Sequence, residues 1–232
     1  MTNVLVIENN PSQGPGRLVS WLEASGAKLT LVRAHAGEEV PPSAGDYDAL
    51  IALGGGRGAE WTDSLAALLR TAVAEKTPTL AICSSARLLA TTFGGSLSPV
   101  ENPAMGPRIL AKRDAAGNDP IFGPAPMALD VIWFRREDID TLPDNAVLLA
   151  ATPHGGKEVF RLGESAWAVQ AHVEFTDEVL ATLEGFDAAA LQRSADVQEF
   201  IVSTWKPIVD RFVRYAAGGR AGMPLPLLTD PS

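Results

Sequence analysis

The chain has 232 residues, 46% of them hydrophobic and 20% charged, which excludes wholesale disorder and predicts a core that folds without disulfides or metals. The formal net charge of −9 argues against a general nucleic-acid or anionic-membrane surface. The longest stretch without a charged residue, 88–100, is shorter than the ~20 residues that span a bilayer, and residues 1–10 lack the basic segment of a secretory signal. Because one cysteine cannot form an intrachain disulfide, we predict a cytoplasmic protein.

The chain before Gly95 alternates short apolar runs with helical patterns. Strands are predicted at 3–7, 28–32, 47–53 and 78–82, because short runs rich in β-branched residues are typical of buried parallel strands. Helices are predicted from residue 18 to Gly26, at 62–76 and at 84–92, from apolar residues at helical spacing and from glycine stops. This order predicts a flavodoxin-like α/β fold with a mostly parallel sheet and helices on both faces.

The pattern changes after Gly95. Residues 96–162 have Pro, Gly or Asp every few positions and strand-like runs at 108–111, 129–134, 146–150 and 158–162, which predict a small antiparallel section inserted before His172. A further strand is predicted at 166–170 and a long amphipathic helix at 197–215. We expect one domain over residues 1–217, followed by an irregular Gly/Pro-rich tail over 218–232.

The residues around Cys83 carry the clearest chemical signal. An apolar strand runs straight into Cys83 and a helical pattern follows; the residues two positions away on each side, Ala81 and Ser85, are small, as a tight strand-to-helix elbow requires. The positive end of the helix favours the thiolate. A lone cysteine is more often a buried structural residue, but the elbow favours a nucleophile here.

A thiol nucleophile needs a base, and the chain has three histidines. His35 follows the second strand and His154 lies in a predicted turn; such positions are more often simply exposed. His172 follows a strand directly, and Glu174, two residues on, faces the same side of an extended chain, where its carboxylate can accept the imidazole N–H. We therefore favour His172 as the base; the alternative is an ordinary polar strand end.

Acyl transfer also needs donors for an oxyanion. The backbone N–H of Ser84 follows the nucleophile directly, and Gly54-Gly55-Gly56 ends the neighbouring strand, where glycine lets the backbone approach a ligand closely. A phosphate-binding loop is the competing interpretation, but this segment matches neither a Walker loop nor a dinucleotide fingerprint.

The glycine run after a strand, the elbow at Cys83 and the segment from Gln170 to Glu174, in this order, resemble the class I (triad) glutamine amidotransferases. The sequence looks closest to their stand-alone branch, which is similar to the glutaminase part of GMP synthase, and the resemblance covers most of the chain. It implies Cys83, His172 and Glu174 as the catalytic triad and the amides of Gly55 and Ser84 as the oxyanion hole. It implies no metal or organic cofactor, and a separate synthetase or ligase subunit as the partner that receives ammonia. We assign the substrate-binding residues as Gly54, Gly56, Arg87 and Gln170.

The sequence departs from the family's Gly-x-Cys-x-Gly-x-Gln motif. Ala81 and Ser85 stay small, but Arg87 replaces a glutamine that in the family helps to hold the substrate. Two interpretations of Arg87 stay open: it binds a substrate carboxylate, or it forms a salt bridge with an acid of the protein. The family's proline between the histidine and the glutamate is Val173 here.

The expected activity is hydrolysis or transfer at the carboxamide of glutamine or a γ-glutamyl compound, through a covalent thioester. The substitutions Ser85 and Arg87 motivate one alternative, a binding or regulatory subunit that has lost turnover. Another alternative is the DJ-1/PfpI-like group, in which an acidic residue after the first strand partners the thiol, as Glu8 would here. We expect a small-molecule substrate and neither nucleic acid nor membrane as a partner.

Overall fold

The computed structural model describes residues 1–55, 60–100 and 105–218. Within them the strands are β1 (Thr2–Asn9), β2 (Ala27–Arg33), β3 (Ala49–Gly55), β4 (Thr79–Ile82), β5 (Ser96–Pro99), β6 (Gly106–Lys112), β7 (Ala128–Trp133), β8 (Glu137–Thr141), β9 (Ala146–Ala151), β10 (Lys157–Leu162) and β11 (Ala166–Val169). The α-helices are α1 (Leu18–Ala24), α2 (Thr62–Ala74), α3 (Ser84–Thr92), α4 (Asp177–Leu180), α5 (Ala188–Ala195) and α6 (Gln198–Ala216). None of the helices in these ranges is both long enough and apolar enough to cross a membrane.

One large sheet organises the described residues, with the strand order β2-β1-β3-β4-β11-β10-β9-β6-β7. The first five strands run parallel, and β10, β9, β6 and β7 continue the sheet with antiparallel pairings. Because β3, β4 and β11 are neighbours, their carboxyl ends meet at one edge, which is where α/β sheets bind ligands. The predicted fold class is confirmed, including the antiparallel section inserted before His172.

The apolar runs form central strands because both of their faces are covered. Along β1, Val4 and Val6 pack into one core cluster, and Leu5 and Ile7 pack into another on the opposite face. Residues of α1 and α6 belong to the first cluster, and residues of α2 and α3 to the second. Helices therefore cover both faces of the sheet, as the alternating sequence pattern predicts.

The antiparallel section follows the predicted runs at four places, since β6, β7, β9 and β10 each overlap one of them. It curves back to the parallel part, where Ile132 of β7 pairs with His172 beyond β11. The small sheet of β5 and β8 was not predicted, because the sequence of β8, Glu-Asp-Ile-Asp-Thr, has too little apolar character to signal a strand. Beyond Gly218, the predicted tail lies outside the described residues, and the domain boundary at residue 217 stays a prediction.

Candidate active site

Three neighbouring strand ends bring the candidate residues together. Gly54 and Gly55 end β3, Cys83 follows β4, and His172 follows β11. A Cβ atom built on Gly54 would lie 3.2 Å from Cys83 Cβ and 3.2 Å from His172 Cε1. Glycine at this position therefore lets the ends of β3, β4 and β11 pack closely enough to place a thiol beside an imidazole.

The backbone of Cys83 forms the predicted elbow. Its φ of 55° and ψ of −115° lie in a region that residues other than glycine rarely adopt, at a cost on the order of 1–3 kcal/mol. Hydrogen bonds hold this conformation from both sides, because the Cys83 N–H donates to the Val169 carbonyl at 2.8 Å and the Arg87 N–H donates to the Cys83 carbonyl at 3.2 Å. The sheet on one side and the first turn of α3 on the other therefore hold Cys83 in its strained conformation.

His172 and Glu174 form a buried hydrogen-bonded pair. His172 Nδ1 lies 2.6 Å from Glu174 Oε1, and Glu174 Oε2 accepts a hydrogen bond from the Val173 N–H at 2.8 Å. The backbone of His172 exchanges two hydrogen bonds with Ile132, at 2.8 and 3.0 Å. The ring of Phe175 stacks on the imidazole with centroids 3.8 Å apart, a contact that no sequence pattern indicated. Glu174 thereby fixes the edge of the imidazole, Phe175 fixes its face, and Ile132 fixes the backbone of His172.

The loop between β1 and α1 supports Glu174, a role that the sequence did not reveal. Gly16 has a φ of 48°, and a Cβ atom there would lie 2.2 Å from the Glu174 carbonyl oxygen. The Arg17 N–H donates to the same oxygen at 3.1 Å. The backbone of Glu174 can approach this loop only because residue 16 has no side chain.

The buried charges favour a thiolate and an imidazolium. Burial raises the pKa of Cys83, but the positive charges of His172 and Arg87 outweigh it and lower this pKa to about 6. Burial lowers the pKa of His172, but the negative charges of Cys83 and Glu174 outweigh it and raise this pKa to about 10. His172 Nε2 is buried and has no hydrogen-bond partner of good geometry among the described residues, so its effect on Cys83 is mainly that of its charge. This nitrogen remains available to donate a proton.

Arg87 lies against the thiol, and only 6% of its surface is exposed. Its Nη2 donates to Cys83 Sγ at 3.7 Å, whereas Nε and Nη1 are buried and have no hydrogen-bond partner within residues 1–55, 60–100 and 105–218. No carboxylate among the described residues forms a salt bridge with it. Of the two interpretations of Arg87, the salt bridge to an acid of the protein therefore finds no support in this part of the chain.

Ser85 has a structural explanation of its own. Its hydroxyl donates to the Leu53 carbonyl at 2.6 Å and accepts from Asn9 Nδ2 at 3.2 Å, and Asn9 Nδ2 also donates to Leu53 at 2.8 Å. These bonds tie the ends of β1 and β3 to the start of α3. The serine in place of the family's glycine therefore braces the elbow, with Asn9 as a partner that the sequence did not indicate.

Two of the predicted substrate contacts stand apart from the rest. Gln170 is buried, and its amide is used by the backbone: it accepts from the Ile139 N–H at 3.3 Å and donates to the Lys157 carbonyl at 2.7 Å. The side chain of Gln170 thus connects β8 to β10, and its predicted role in binding substrate stays a prediction. Gly56 lies outside the described residues. The donor roles of Gly55 and Ser84 stay predictions.

The other histidines belong to different surroundings. His35 Nε2 lies 2.7 Å from Glu8 Oε1, which gives Glu8 a partner other than the thiol and leaves the DJ-1/PfpI-like alternative without the contact that motivated it. His154 lines a separate cavity of about 780 Å³ together with Arg108 and Trp133. No group of three or more metal-ligating side chains occurs in the described part of the chain.

Fold and geometry together define an α/β protein whose single cysteine stands on a strand-to-helix elbow beside a buried histidine–glutamate pair. The chain belongs to the class-I glutamine amidotransferase family, whose model matches residues 7–183. This confirms the resemblance found in the sequence.

One relative is similar over nearly the whole chain. It is the glutamine amidotransferase-like protein YfeJ of Salmonella typhimurium, 26% identical over 90% of this chain and 85% of its own length. A solved glutamine amidotransferase structure from Methylobacillus flagellatus superposes with a TM-score of 0.78, covering 96% of this chain and 98% of that one, at 18% identity.

Two other relatives match about half of the chain. GMP synthase of Thermomicrobium roseum is 30% identical over 50% of this chain and 23% of its own length. Gamma-glutamyl peptidase 3 of Arabidopsis thaliana is 26% identical over 53% of this chain and 51% of its own length. The chain is thus related to a glutamine-hydrolysing synthase and to a peptidase that bears the γ-glutamyl name.

Proposed function

We propose that this protein is a thiol-dependent amide hydrolase or transferase that acts on glutamine or a γ-glutamyl compound through a thioester on Cys83. The observation that carries the proposal is the pairing of a strained Cys83 elbow with His172, whose Nδ1 lies 2.6 Å from Glu174. Family membership supports the reaction class, because class-I members are named for the transfer of glutamine's amide nitrogen.

The first half-reaction follows from the charges. Cys83 Sγ, already favoured as a thiolate, attacks the carbonyl carbon, and the backbone N–H groups of Ser84 and Gly55 are our candidates for stabilising the negative oxygen. The C–N bond then breaks as His172 Nε2 donates its proton to the leaving amine. The amine departs, and the acyl group stays on sulfur as a thioester.

The second half-reaction reverses the proton transfer. His172, now neutral, takes one proton from water as the water attacks the thioester, and the thiolate leaves as the carboxylic acid forms; the acid then loses the second proton to solvent and becomes the carboxylate product. Another nucleophile in place of water would give transfer rather than hydrolysis. Glu174 holds the imidazole in the tautomer with the proton on Nδ1 and stabilises the imidazolium, so that Nε2 faces the reacting groups in both steps.

If the leaving group is ammonia, we propose a separate synthetase or ligase as its recipient. The similarity to GMP synthase supports such a partner, since that protein's name joins glutamine hydrolysis to a synthase. The second candidate function is a binding or regulatory subunit without turnover. This second candidate rests on the departure of Arg87 from the family motif, because a fixed positive charge lies against the thiol where the family has a neutral glutamine that helps to hold the substrate.

Product analysis separates the two functions. The purified protein is incubated with glutamine and with a panel of γ-glutamyl amino acids and amides, with and without the products of neighbouring genes, and free amine and glutamate are measured. The proposal expects turnover of at least one compound and none in Cys83→Ala. A covalent acyl adduct on Cys83, trapped at low pH and seen by mass spectrometry, supports the thioester. Turnover that survives in Cys83→Ala would overturn the mechanism, and binding of these compounds without turnover or adduct would favour the regulatory subunit.

A further inference from the structure

Arg87 is the buried group at the site that the two half-reactions leave unexplained. It lies one helical turn after the nucleophile, and its own N–H is bonded to the Cys83 carbonyl, so its position relative to the sulfur is fixed by α3. Its Nη2 is 3.7 Å from Sγ. Whatever the guanidinium binds therefore lies beside the reacting atom.

The guanidinium has unused donors. Nε and Nη1 are buried and have no acceptor among the described residues, and an arginine cannot escape this cost by losing its proton. Buried donors without partners lower folding stability. If Arg87 served only to stabilise the thiolate, its unpaired donors would still lower the folding stability. An oxyanion bound by these N–H groups would remove this loss.

We propose that Arg87 is the receptor for a carboxylate of the substrate, so that the true substrate carries an anionic group a few bonds from the scissile carbonyl. This inference rests on the proposed thioester function. A guanidinium–carboxylate bond spans about 2.7–2.9 Å, and the acyl carbon becomes bonded to the sulfur that Nη2 already contacts. The carboxylate and the scissile carbonyl must therefore belong to one compact molecule.

Two positions satisfy this geometry in a γ-glutamyl compound. The carboxylate can belong to the leaving group, as in a γ-glutamyl amino acid, or to the glutamyl group itself, at its α-carbon. The shared chemistry is a carboxylate held by a rigid fork of donors, which lysine and glutamine cannot reproduce. The substrate arms of the test below distinguish the two sources.

The receptor can be tested without knowing the substrate, because Cys83 is the only thiol. Iodoacetate and iodoacetamide both alkylate a thiolate by displacing iodide and differ only in carrying a carboxylate or a carboxamide. The quantity to measure is the ratio of their alkylation rates, iodoacetate over iodoacetamide, by whole-protein mass spectrometry. A change in thiolate content alters both rates equally and leaves the ratio unchanged.

We expect this ratio to fall roughly ten- to a hundredfold in Arg87→Gln, the range for losing one hydrogen bond to a charged group. Arg87→Lys keeps the charge but not the planar fork of donors, so its ratio should lie between those of the unmodified protein and Arg87→Gln. Arg108→Gln is the matched control, since this arginine lies on β6 beside Trp133, and its ratio should equal that of the unmodified protein. An equal ratio in Arg87→Gln and the unmodified protein, both folded by circular dichroism, would overturn the receptor.

Matched substrates locate the carboxylate. γ-Glutamylglycine is compared with γ-glutamylglycinamide for the leaving group, and glutamine with 4-aminobutanamide for the acyl group. A preference for the acidic member of one pair that disappears in Arg87→Gln assigns the carboxylate to that side. Preferences that are the same with and without Arg87, in a protein that still needs Cys83, would refute the receptor and leave the thioester function standing. If alkylation by iodoacetate is favoured through Arg87 but no amide is hydrolysed, the proposed thioester function is refuted, while the carboxylate receptor at Arg87 is supported.

Discussion

The parallel and antiparallel parts of the sheet contribute to the candidate site in different ways. The parallel strands β3, β4 and β11 lead to the glycines, to Cys83 and to His172, and their buried side chains are almost entirely apolar. The antiparallel part contributes mainly backbone: Ile132 pairs with His172, and the Phe134 carbonyl lies 4.0 Å from Cys83 Sγ. The candidate residues thus lie at strand ends that the local sequence defines. The contacts that orient these residues come from segments that are distant in sequence.

The two parts also differ in what stabilises them. In the antiparallel part, Arg135 is buried and forms ion pairs with Glu158 and Asp138, and its guanidinium stacks on Trp133 at 4.0 Å from the ring centroid. Such a cluster is sensitive to the loss of one member, because the remaining charge is left buried. The candidate site therefore lies on an apolar parallel part that is supported by a charged cluster in the antiparallel part. Substitutions in the two parts should have different effects on turnover and stability.

The largest effect is expected at Cys83, the proposed nucleophile. Cys83→Ala should abolish turnover, since losing the nucleophile of a triad costs roughly a millionfold in rate. The protein should still fold, because alanine is small enough for the elbow, but it should lose some stability because Arg87 no longer has the sulfur as an acceptor. The check is a product assay beside a urea unfolding curve. Residual turnover above the reagent blank would mean that the parallel strand ends do not carry the chemistry.

The largest effect on stability is expected in the antiparallel part. Glu158→Gln leaves Arg135 buried with Asp138 alone, and breaking a buried ion pair from one side costs about 3–5 kcal/mol. The unfolding curve in urea measures this loss. Glu38→Gln is the control, because its ion pair with Arg33, at the end of β2 in the parallel part, is about half exposed and should cost less. Equal losses in the two variants would contradict the distinction between the two parts.

Glu174→Gln tests the support of the imidazole. The amide keeps the shape but loses the charge that stabilises the imidazolium, and we expect turnover to fall roughly ten- to a thousandfold, less than for the nucleophile. The pH profile should change as well, because Glu174 helps to raise the pKa of His172. Unchanged kinetics would show that Phe175 and the backbone alone orient His172.

The charge pairing predicts the pH dependence of thiol labelling. The folded pKa of Cys83 is lowered to about 6, so alkylation by iodoacetamide should reach half of its plateau rate near this pH, below the ~8.5 of a free cysteine. In His172→Gln the midpoint should move upward, because the largest favourable charge is gone and burial now dominates. A midpoint at or above that of free cysteine in the unmodified protein would contradict the ion pair.

The smallest effect is expected in the loop that supports Glu174. Gly16→Ala places a methyl group 2.2 Å from the Glu174 carbonyl oxygen, so turnover should fall several-fold, and the free energy of unfolding should fall by more than the roughly 1–2 kcal/mol that the positive φ alone costs. Gly26→Ala is the matched control: its φ is 81°, and no atom of the described part of the chain lies within 4 Å of the added atom. The control should lose stability and keep its turnover. Equal turnover in both variants would show that this loop does not position the site.

The sequence predicted what local patterns determine. Apolar runs and small residues around Cys83 defined the parallel strands and the elbow, and the two-residue spacing placed Glu174 beside His172. Partners that meet only through the fold were not predictable: Asn9 with Ser85, Phe175 on the imidazole, and the loop at Gly16. The partners of the Gln170 amide were not predictable for the same reason, since these backbone groups come from β8 and β10.

The pairing of Ile132 with His172 also has a consequence for folding. Positions 83, 132 and 172 are far apart in the chain, and contacts of such high sequence separation form slowly. A partly folded chain with β4 and α3 in place, but with the bridge to β7 still open, would hold the thiol without its imidazolium. We therefore expect Cys83 to acquire its acidity late during refolding, so that pulse alkylation at neutral pH reports the closing of the bridge rather than the formation of the elbow.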